Sequence, residues 1–230
     1  MKNAAINLSR FNKILTNKSG LLLCIFLTLL IQITITASVA DYLYNNKSVM
    51  KTAHAYMHNI IIFILTFIFC IFLIIAMISG KIPFMARFVL FTIFSLLQGV
   101  LIGVAMEYFP KEIIMSALLS TVAIFVAFLL FGFALVYFQF DLSWLGIYLF
   151  LGLLALIIAR IVNAFASKDS KYHRGLAIVG IVMFSIYILY DTNRIMLKYE
   201  NKNVDCIRGS LDYYLDMANI FLDYLDLYKH

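Results

Sequence analysis

Long apolar stretches constrain this 230-residue chain more than any other feature of its sequence. A helix needs about 20 apolar residues to cross the roughly 30 Å hydrocarbon core of a bilayer, and six stretches clearly meet that length. A seventh, GSLDYYLDMANIFLDYLDLY, carries four aspartates but is otherwise almost entirely apolar or aromatic. Only 13% of the residues are charged, whereas soluble domains carry about 25%. We therefore predict an all-α integral membrane protein with seven transmembrane helices, at approximately 20–40, 57–79, 84–106, 113–138, 143–165, 175–196 and 209–228.

The basic residues predict the orientation of the chain in the membrane. Residues 1–19 contain four basic residues and no acidic one, and they lack the short apolar core and cleavage site of a signal peptide. With the N-terminus inside, ten Lys and Arg residues lie on the inner side and seven on the outer side, leaving out Arg160 within the fifth span. We expect a cytoplasmic segment at 1–19, a seven-helix transmembrane domain at 20–230, and residence in a bacterial cytoplasmic membrane.

Several classes of function are disfavoured by the sequence. It contains no Walker A loop, HExxH, GxSxG or glycine-rich dinucleotide turn, so we predict no enzymatic activity and no cofactor. The net charge of +6 arises from basic residues between apolar runs, where they set topology and do not indicate nucleic-acid binding. Cys24, Cys70 and Cys206 are scattered, so we expect neither a disulfide framework nor a metal site built on them. The four histidines lie in or near predicted loops, where we expect them to be solvated.

Ionisable side chains inside a bilayer are costly and indicate a functional site. Most of those in this sequence lie near the ends of spans, as Arg87 and Glu107 do, where we expect them to reach towards water. The exceptions concentrate in the last two spans. Asp191 lies about five residues, or roughly 7 Å, from the inner end of span six, and Asp216 lies about seven residues, or roughly 10 Å, from the inner end of span seven. The two carboxylates therefore reach similar depths and can meet if their helix faces are opposed.

The last span also carries a polar stripe. Its members follow one another at intervals of 4, 3, 4 and 3 residues and occupy an arc of about 80° on one helix face: Asp212, Asp216, Asn219, Asp223 and Asp226. Such a face cannot contact lipid and must contact protein or water. One interpretation is an interhelical network with Arg160 or Arg194 as the counter-charge. The other is a cation or proton path along span seven, with Asp212, Asn219 and Asp223 as secondary candidates.

Two carboxylates that share a site of low dielectric constant cannot both ionise cheaply, so the pair titrates as a coupled unit. Asp191 and Asp216 could hold one proton between them, or release it and attract a divalent cation. Oxygen ligands without thiolates or clustered histidines favour Ca²⁺ over a transition metal. The residues therefore predict a site that switches with pH and has Ca²⁺ and protons as its partners.

Three segments resemble signatures of the Bax inhibitor-1 family, also called the transmembrane Bax inhibitor motif family. IYILYDTNRIM (186–196) is similar to its sixth-helix signature, and SLDYYLDMANIFLDYL (210–225) to its last-helix signature. DLSWLGIYLFLGLLALIIARIVNAF (141–165) is similar to a third. The resemblance covers roughly 84–225. It implies a seven-helix bundle with the last helix central, and a pH-sensitive Ca²⁺ leak channel whose paired aspartates correspond to Asp191 and Asp216.

The sequence departs from the family pattern in four respects. Asn193 stands where a glutamine is frequent, and Arg160 is unexpected in the fifth span. Asp212, Asp223 and Asp226 are additional to the family pair. Residues 59–80 contain no charged residue, so the second span offers no basic partner for the aspartates.

Two other functions compete with the channel. The protein could be a membrane regulator that binds a membrane protease or a stress or cell-death component without conducting ions, a role known for some family members. An intramembrane aspartyl protease also uses paired aspartates, but its second aspartate lies in a Gly-x-Gly-Asp motif. Here the corresponding sequence is Tyr-Tyr-Leu-Asp, so we disfavour proteolysis.

Overall fold

The computed structural model describes residues 2–166, 170–198 and 205–228, and the regular structure within these ranges is entirely helical. The prediction of an all-α protein is therefore confirmed. Eight helices follow one another along the chain: α1 (Lys2–Asn45), α2 (Lys47–His58), α3 (Ile60–Ile78), α4 (Phe84–Met106), α5 (Lys111–Tyr137), α6 (Leu145–Ala166), α7 (Ser170–Lys198) and α8 (Cys206–Asp226).

Five of these helices are long and apolar enough to cross a membrane, namely α1, α4, α5, α6 and α7. Five of the predicted spans are therefore helices of sufficient length and apolarity to cross a membrane. Large apolar side chains such as Leu119 and Leu130 are exposed along α5, as expected of a surface that contacts lipid. Helix α3 offers a shorter apolar segment, Ile64–Ile78, and the aspartate-rich α8 is not among the five helices. The second and seventh spans therefore stay predictions.

Several helix boundaries follow from local sequence chemistry. Pro83 is the N-cap of α4, and Pro110 directly precedes α5. Proline is tolerated at the start of a helix because the backbone N–H that it lacks would have no partner within the helix there. Asn59 caps α3, where its side chain accepts hydrogen bonds from the backbone N–H groups of Ile61 and Ile62. These residues explain why the apolar stretches end close to their predicted bounds.

Polar sequence extends two helices beyond their apolar parts. Helix α1 begins at Lys2, so the predicted cytoplasmic segment 1–19 is helical and continuous with the first span. Helix α7 runs from Ser170 to Lys198, further at both ends than the predicted span 175–196. Helix α2 lies between the first two apolar stretches and was not predicted, because it is short and polar.

The chain divides into two compact units. The first consists of Met1–Leu22, Lys111–Val204 and Leu215–His230, and the second of Leu23–Pro110 and Asp205–Tyr214. The first unit thus contains α5, α6, α7 and most of α8, and with them Asp191 and Asp216.

In the second unit, Cys24 of α1 and Cys206 of α8 form a disulfide with their Cα atoms 5.6 Å apart. The expectation that the cysteines form no disulfide was therefore wrong for these two, while Cys70 is a buried free thiol. The two cysteines are 182 residues apart in sequence, and no local pattern indicates which helices place them together. Hydrogen bonds from Ser210 to the carbonyl of Ile25 and between Thr36 and Tyr214, at 2.9 and 2.5 Å, also join α1 to α8.

Arg87 is also placed differently from its prediction. We expected this residue to reach towards water from the start of α4, but it is buried. It pairs with Asp205, just before α8, and donates a hydrogen bond of 3.3 Å to the carbonyl of Met77 at the end of α3. A charge at this position is retained because a carboxylate and a backbone carbonyl replace its contacts with water.

Candidate functional site

Helix α7 packs closely against α5 and α6 on both sides of Asp191. A Cβ atom on Gly132 of α5 would lie only 2.6 Å from Cβ of Thr192. One on Gly146 of α6 would similarly lie 2.5 Å from the hydroxyl oxygen of Tyr190. Both distances are shorter than any normal contact with Cβ, so the two glycines permit the approach of α7. Asp191 therefore lies between two residues, Tyr190 and Thr192, that pack tightly against neighbouring helices.

Asn193 anchors the same part of α7 to the turn between α5 and α6. Its side-chain nitrogen donates to the carbonyl of Phe140 at 2.8 Å, and its side-chain oxygen accepts from the backbone N–H of Leu142 at 3.0 Å. The turn needs such support because Gln139 adopts a φ of 65°, which is uncommon for a residue other than glycine. The amide at position 193 therefore has a structural role in holding this turn.

Gly132→Ala is expected to destabilise the protein by about 1–3 kcal/mol, because the added methyl group would overpack the contact with Thr192. The matched control is Gly175→Ala on α7, where nothing lies within 4 Å of the added Cβ. The control should be neutral or slightly stabilising, since alanine favours a helix over glycine. Thermal unfolding of both variants in detergent checks the prediction, and equal midpoints would contradict the close packing of α5 against α7.

Asp191 is buried, with 5% of its surface exposed. Arg194, one helical turn further along α7, places its guanidinium 3.5 Å from the Asp191 carboxylate. The guanidinium carbon also lies 5.8 Å from the centre of the Tyr190 ring, within the range of a cation–π interaction. Arg194 is thus positioned beside Asp191, while its own side chain is partly exposed.

Asp216 lies on α8 and is 4% exposed. Tyr187, one helical turn before Asp191 on α7, interacts electrostatically with both Asp191 and Asp216. Because such interactions weaken with distance, the phenol of Tyr187 lies near both of the carboxylates that were predicted from the sequence. Sequence reasoning missed Tyr187; the four-residue spacing from Asp191 is the only signal that could have indicated it.

The other members of the stripe on α8 differ in their environments. Asp212, Asn219 and Asp226 are half-buried, and the side-chain nitrogen of Asn219 donates to the carbonyl of Leu215 at 2.7 Å. Asp223 is fully buried. No residue between Cys206 and Asp226 is exposed, so the polar face of α8 contacts protein.

An ion pair joins α6 to α8 at Asp223, whose side chain is fully buried while that of Arg160 is 36% exposed. Nη2 of Arg160 donates to Oδ1 of Asp223, while Oδ2 of the same carboxylate is buried and has no hydrogen-bond partner. Gly180 of α7 lies against both side chains, and a Cβ atom at this position would collide with them. Three helices therefore meet at this pair, which lies about two helical turns along α8 from Asp216. Gly180 is a further residue that the sequence did not indicate.

Two histidines have partners that we did not expect. His54 pairs with Glu107, whose own side chain is 45% exposed, as expected for a residue that reaches towards water. The side-chain nitrogen of Asn163 on α6 lies 2.8 Å from Nδ1 of His173 on α7. His173 is nevertheless exposed, as predicted, whereas the His54 side chain is only 23% exposed, so the prediction was wrong for His54 alone. The side chains of His58 and His230 lie outside the described residues.

Apolar helices of spanning length, together with carboxylates buried among them, define an integral membrane protein with several helices. Residues 18–229 match the family model described as "Inhibitor of apoptosis-promoting Bax1". The chain therefore belongs to the Bax inhibitor family, and the resemblance found in its motifs is confirmed. This family is not known as a family of enzymes.

Curated relatives occur in a yeast and in bacteria. "Bax inhibitor 1" of Schizosaccharomyces pombe is 29% identical over 164 residues, covering 71% of this chain and 60% of the relative. "Inner membrane protein YbhL" of Escherichia coli is 28% identical over 207 residues, covering 84% of each chain. An uncharacterised protein of Borreliella burgdorferi is 31% identical over 140 residues, or 58% of this chain and 59% of that protein. The name of YbhL places that relative in an inner membrane.

Proposed function

We propose that this protein is a pH-sensitive, Ca²⁺-permeable leak channel in which Asp191 and Asp216 share a proton and control the opening. The observation that carries the proposal is the burial of both carboxylates in an apolar helical protein, with Tyr187 interacting with each of them. Buried ionisable groups in a membrane protein are costly to keep, and they are retained where a function needs them.

The depth of the two aspartates along their helices supports this role. Asp191 lies seven residues before the end of α7 at Lys198, and Asp216 lies ten residues after the start of α8 at Cys206. These separations correspond to roughly 10 and 15 Å along the helix axes. Both carboxylates thus lie well inside their helices. They are far from the helix ends, and only at those ends would water hydrate them.

The proposed arrangement has seven spans, an inside N-terminus and a location in a bacterial cytoplasmic membrane. In it, α3 and α8 cross the membrane together with the five more apolar helices, and α8 is central. The absence of exposed residues between Cys206 and Asp226 supports the central position, because a peripheral helix would present one face to lipid. The "inner membrane" in the name of the relative YbhL supports the location.

The proposed chemistry uses only the two carboxylates and the ion. When they share one proton, a hydrogen bond holds them together and the charge available to attract a cation is small. When the proton leaves, the carboxylates repel each other and present oxygen ligands of the type that Ca²⁺ binds. Within the described residues, no group of three or more His, Cys, Asp or Glu side chains is arranged to hold a metal ion.

Calcium flux into proteoliposomes that contain the purified protein tests the proposal. We expect a protein-dependent flux that changes between about pH 5 and pH 8, where a coupled carboxylate pair can titrate. Protein-free vesicles provide the control for passive leak. Correctly folded protein that gives no flux above this control at any pH would overturn the channel proposal.

The description of the family as an inhibitor of a protein, Bax1, favours one alternative. In that case the protein would regulate a membrane protease or a stress or cell-death component and would conduct no ions. The aspartates would then serve only packing. A folded protein without flux, whose Asp191→Asn variant is less stable than the unsubstituted protein, would favour this alternative.

A further inference from the structure

The disulfide between Cys24 and Cys206 lies at the side of the membrane that our proposed orientation makes cytoplasmic. Cys24 is only four residues, or roughly 6 Å, inside the first predicted span, which begins at residue 20. Cys206 is the first residue of α8. The cytoplasm keeps thiols reduced, and a disulfide that forms there is usually transient, catalytic or redox-sensing. The position of this pair therefore indicates a bond that forms and breaks in use.

The surroundings of the two sulfur atoms favour reduction by attack at Cys24. Cys206 is buried, with 6% of its surface exposed, whereas Cys24 is half-buried and more accessible. A reducing thiolate attacks one sulfur, and the other sulfur leaves as a thiolate. The hydroxyl oxygen of Thr28 lies 3.3 Å from the sulfur of Cys206, and it is the donor because a disulfide sulfur carries no hydrogen. This hydrogen bond, together with the start of a helix, which favours negative charge, stabilises Cys206 as the leaving group.

Other contacts keep α1 and α8 together when the disulfide is absent. The hydroxyl of Ser210 donates to the carbonyl of Ile25 at 2.9 Å, and the rings of Phe26 and Tyr213 stack with their centroids 6.1 Å apart. Reduction should therefore leave α8 packed against α1 but remove the covalent restraint on its first turn. Asp216 lies on the same helix, ten residues after its start.

We propose that Cys24 and Cys206 form a reversible redox site, oxidised by hydroperoxides and reduced by dithiols, that regulates the calcium leak. In the oxidation, one thiolate takes an oxygen atom from the hydroperoxide, which leaves as an alcohol, or as water when the oxidant is hydrogen peroxide. The second thiol then attacks the resulting sulfenic acid and releases one water molecule. In the reduction, a dithiol gives two electrons and two protons to the disulfide and becomes a disulfide itself.

The regulatory role rests on the proposed channel function, whereas the redox chemistry does not. In that function the deprotonated carboxylates repel each other, so opening requires α8 to move. A covalent bond from the first turn of α8 to α1 opposes this movement. We therefore expect reduction to raise the calcium flux at neutral pH about fivefold or more, the lower end of typical coupling between distant sites.

Thiol trapping in cells tests the redox site without relying on flux. Bacteria that produce the full-length protein are quenched with acid, and the free thiols of the denatured protein are labelled with a maleimide of known mass. We expect Cys24 and Cys206 to be thiols in growing cells, a disulfide after exposure to hydrogen peroxide, and thiols again after recovery. Cys70, which is a free cysteine, should be labelled throughout. A disulfide in every sample, or two thiols in every sample, would overturn the proposed site.

Flux into proteoliposomes treated with dithiothreitol or with hydrogen peroxide tests the regulation. Cys24→Ser and Cys206→Ser should each give the flux of the reduced protein after either treatment, because neither variant can form the bond. Cys70→Ser is the matched control and should keep the full response. A reversible disulfide in a protein whose flux ignores both treatments would contradict the regulatory role. A reversible disulfide in a folded protein without any flux would support the redox site and remove the channel.

Discussion

Asp216→Asn is expected to abolish the pH dependence of calcium flux through this protein. Asparagine is close to aspartate in shape, but its amide neither releases a proton nor carries a negative charge. The remaining carboxylate of Asp191 then has no partner with which to share a proton, and the coupled titration disappears. We expect a flux that is nearly constant between about pH 5 and pH 8, where the unsubstituted protein changes. Flux into proteoliposomes across this pH range measures the effect.

Asp41→Asn is the matched control for this prediction. Asp41 is exposed on α1, where its carboxylate accepts a hydrogen bond from Asn45 at 2.9 Å. The same chemical change at this position should leave the flux and its pH profile as they are. If Asp191→Asn and Asp216→Asn both preserved the unsubstituted profile, the assignment of the proton sensor to these residues would be wrong.

Arg160→Gln is expected to have the largest effect on stability, a loss of about 3–5 kcal/mol in the free energy of unfolding. The substitution leaves the carboxylate of Asp223 fully buried without its counter-charge. Breaking one side of a buried ion pair costs more than removing both charges, because the remaining charge is not solvated. Asp223→Asn in the Arg160→Gln background should therefore restore part of the lost stability. Thermal or denaturant unfolding in detergent measures both steps.

Arg174→Gln controls for the loss of one positive charge near the same end of α7. Arg174 is exposed, and a substitution at such a position usually changes stability by less than about 0.5 kcal/mol. A loss as large as that of Arg160→Gln would show a general charge effect. A double variant less stable than Arg160→Gln alone would contradict the ion pair as the cause.

Hydropathy located the apolar helices well because a helix that crosses the hydrocarbon core must be apolar. The predicted span 84–106 coincides with α4 (Phe84–Met106), where Pro83 and the nearby Pro110 mark the ends of the apolar stretch. Hydropathy does not indicate polar helical segments, so the extension of α1 to Lys2 and the presence of α2 were not predicted. Helix α8 is a harder case, because its aspartates lower its hydropathy while its burial removes them from lipid.

The candidate site was predictable where a single helix determines it. Spacing alone placed the aspartates of α8 on one face, and the structure buries Asp216 and Asp223 of that face. Contacts between helices were not predictable in the same way. Arg160 and Asp223 are 63 residues apart in sequence, and their meeting depends on Gly180, which no charge pattern indicates.

A double-mutant cycle between Asp191 and Asp216 tests the central claim most directly. The pH profile of calcium flux is measured for the unsubstituted protein, Asp191→Asn, Asp216→Asn and the double variant. If the two carboxylates share one proton, either single substitution removes the pH dependence and the second adds nothing, a strongly non-additive result. Two independent shifts in the profile that sum in the double variant would show that the aspartates titrate separately, and would contradict the proton-sharing pair.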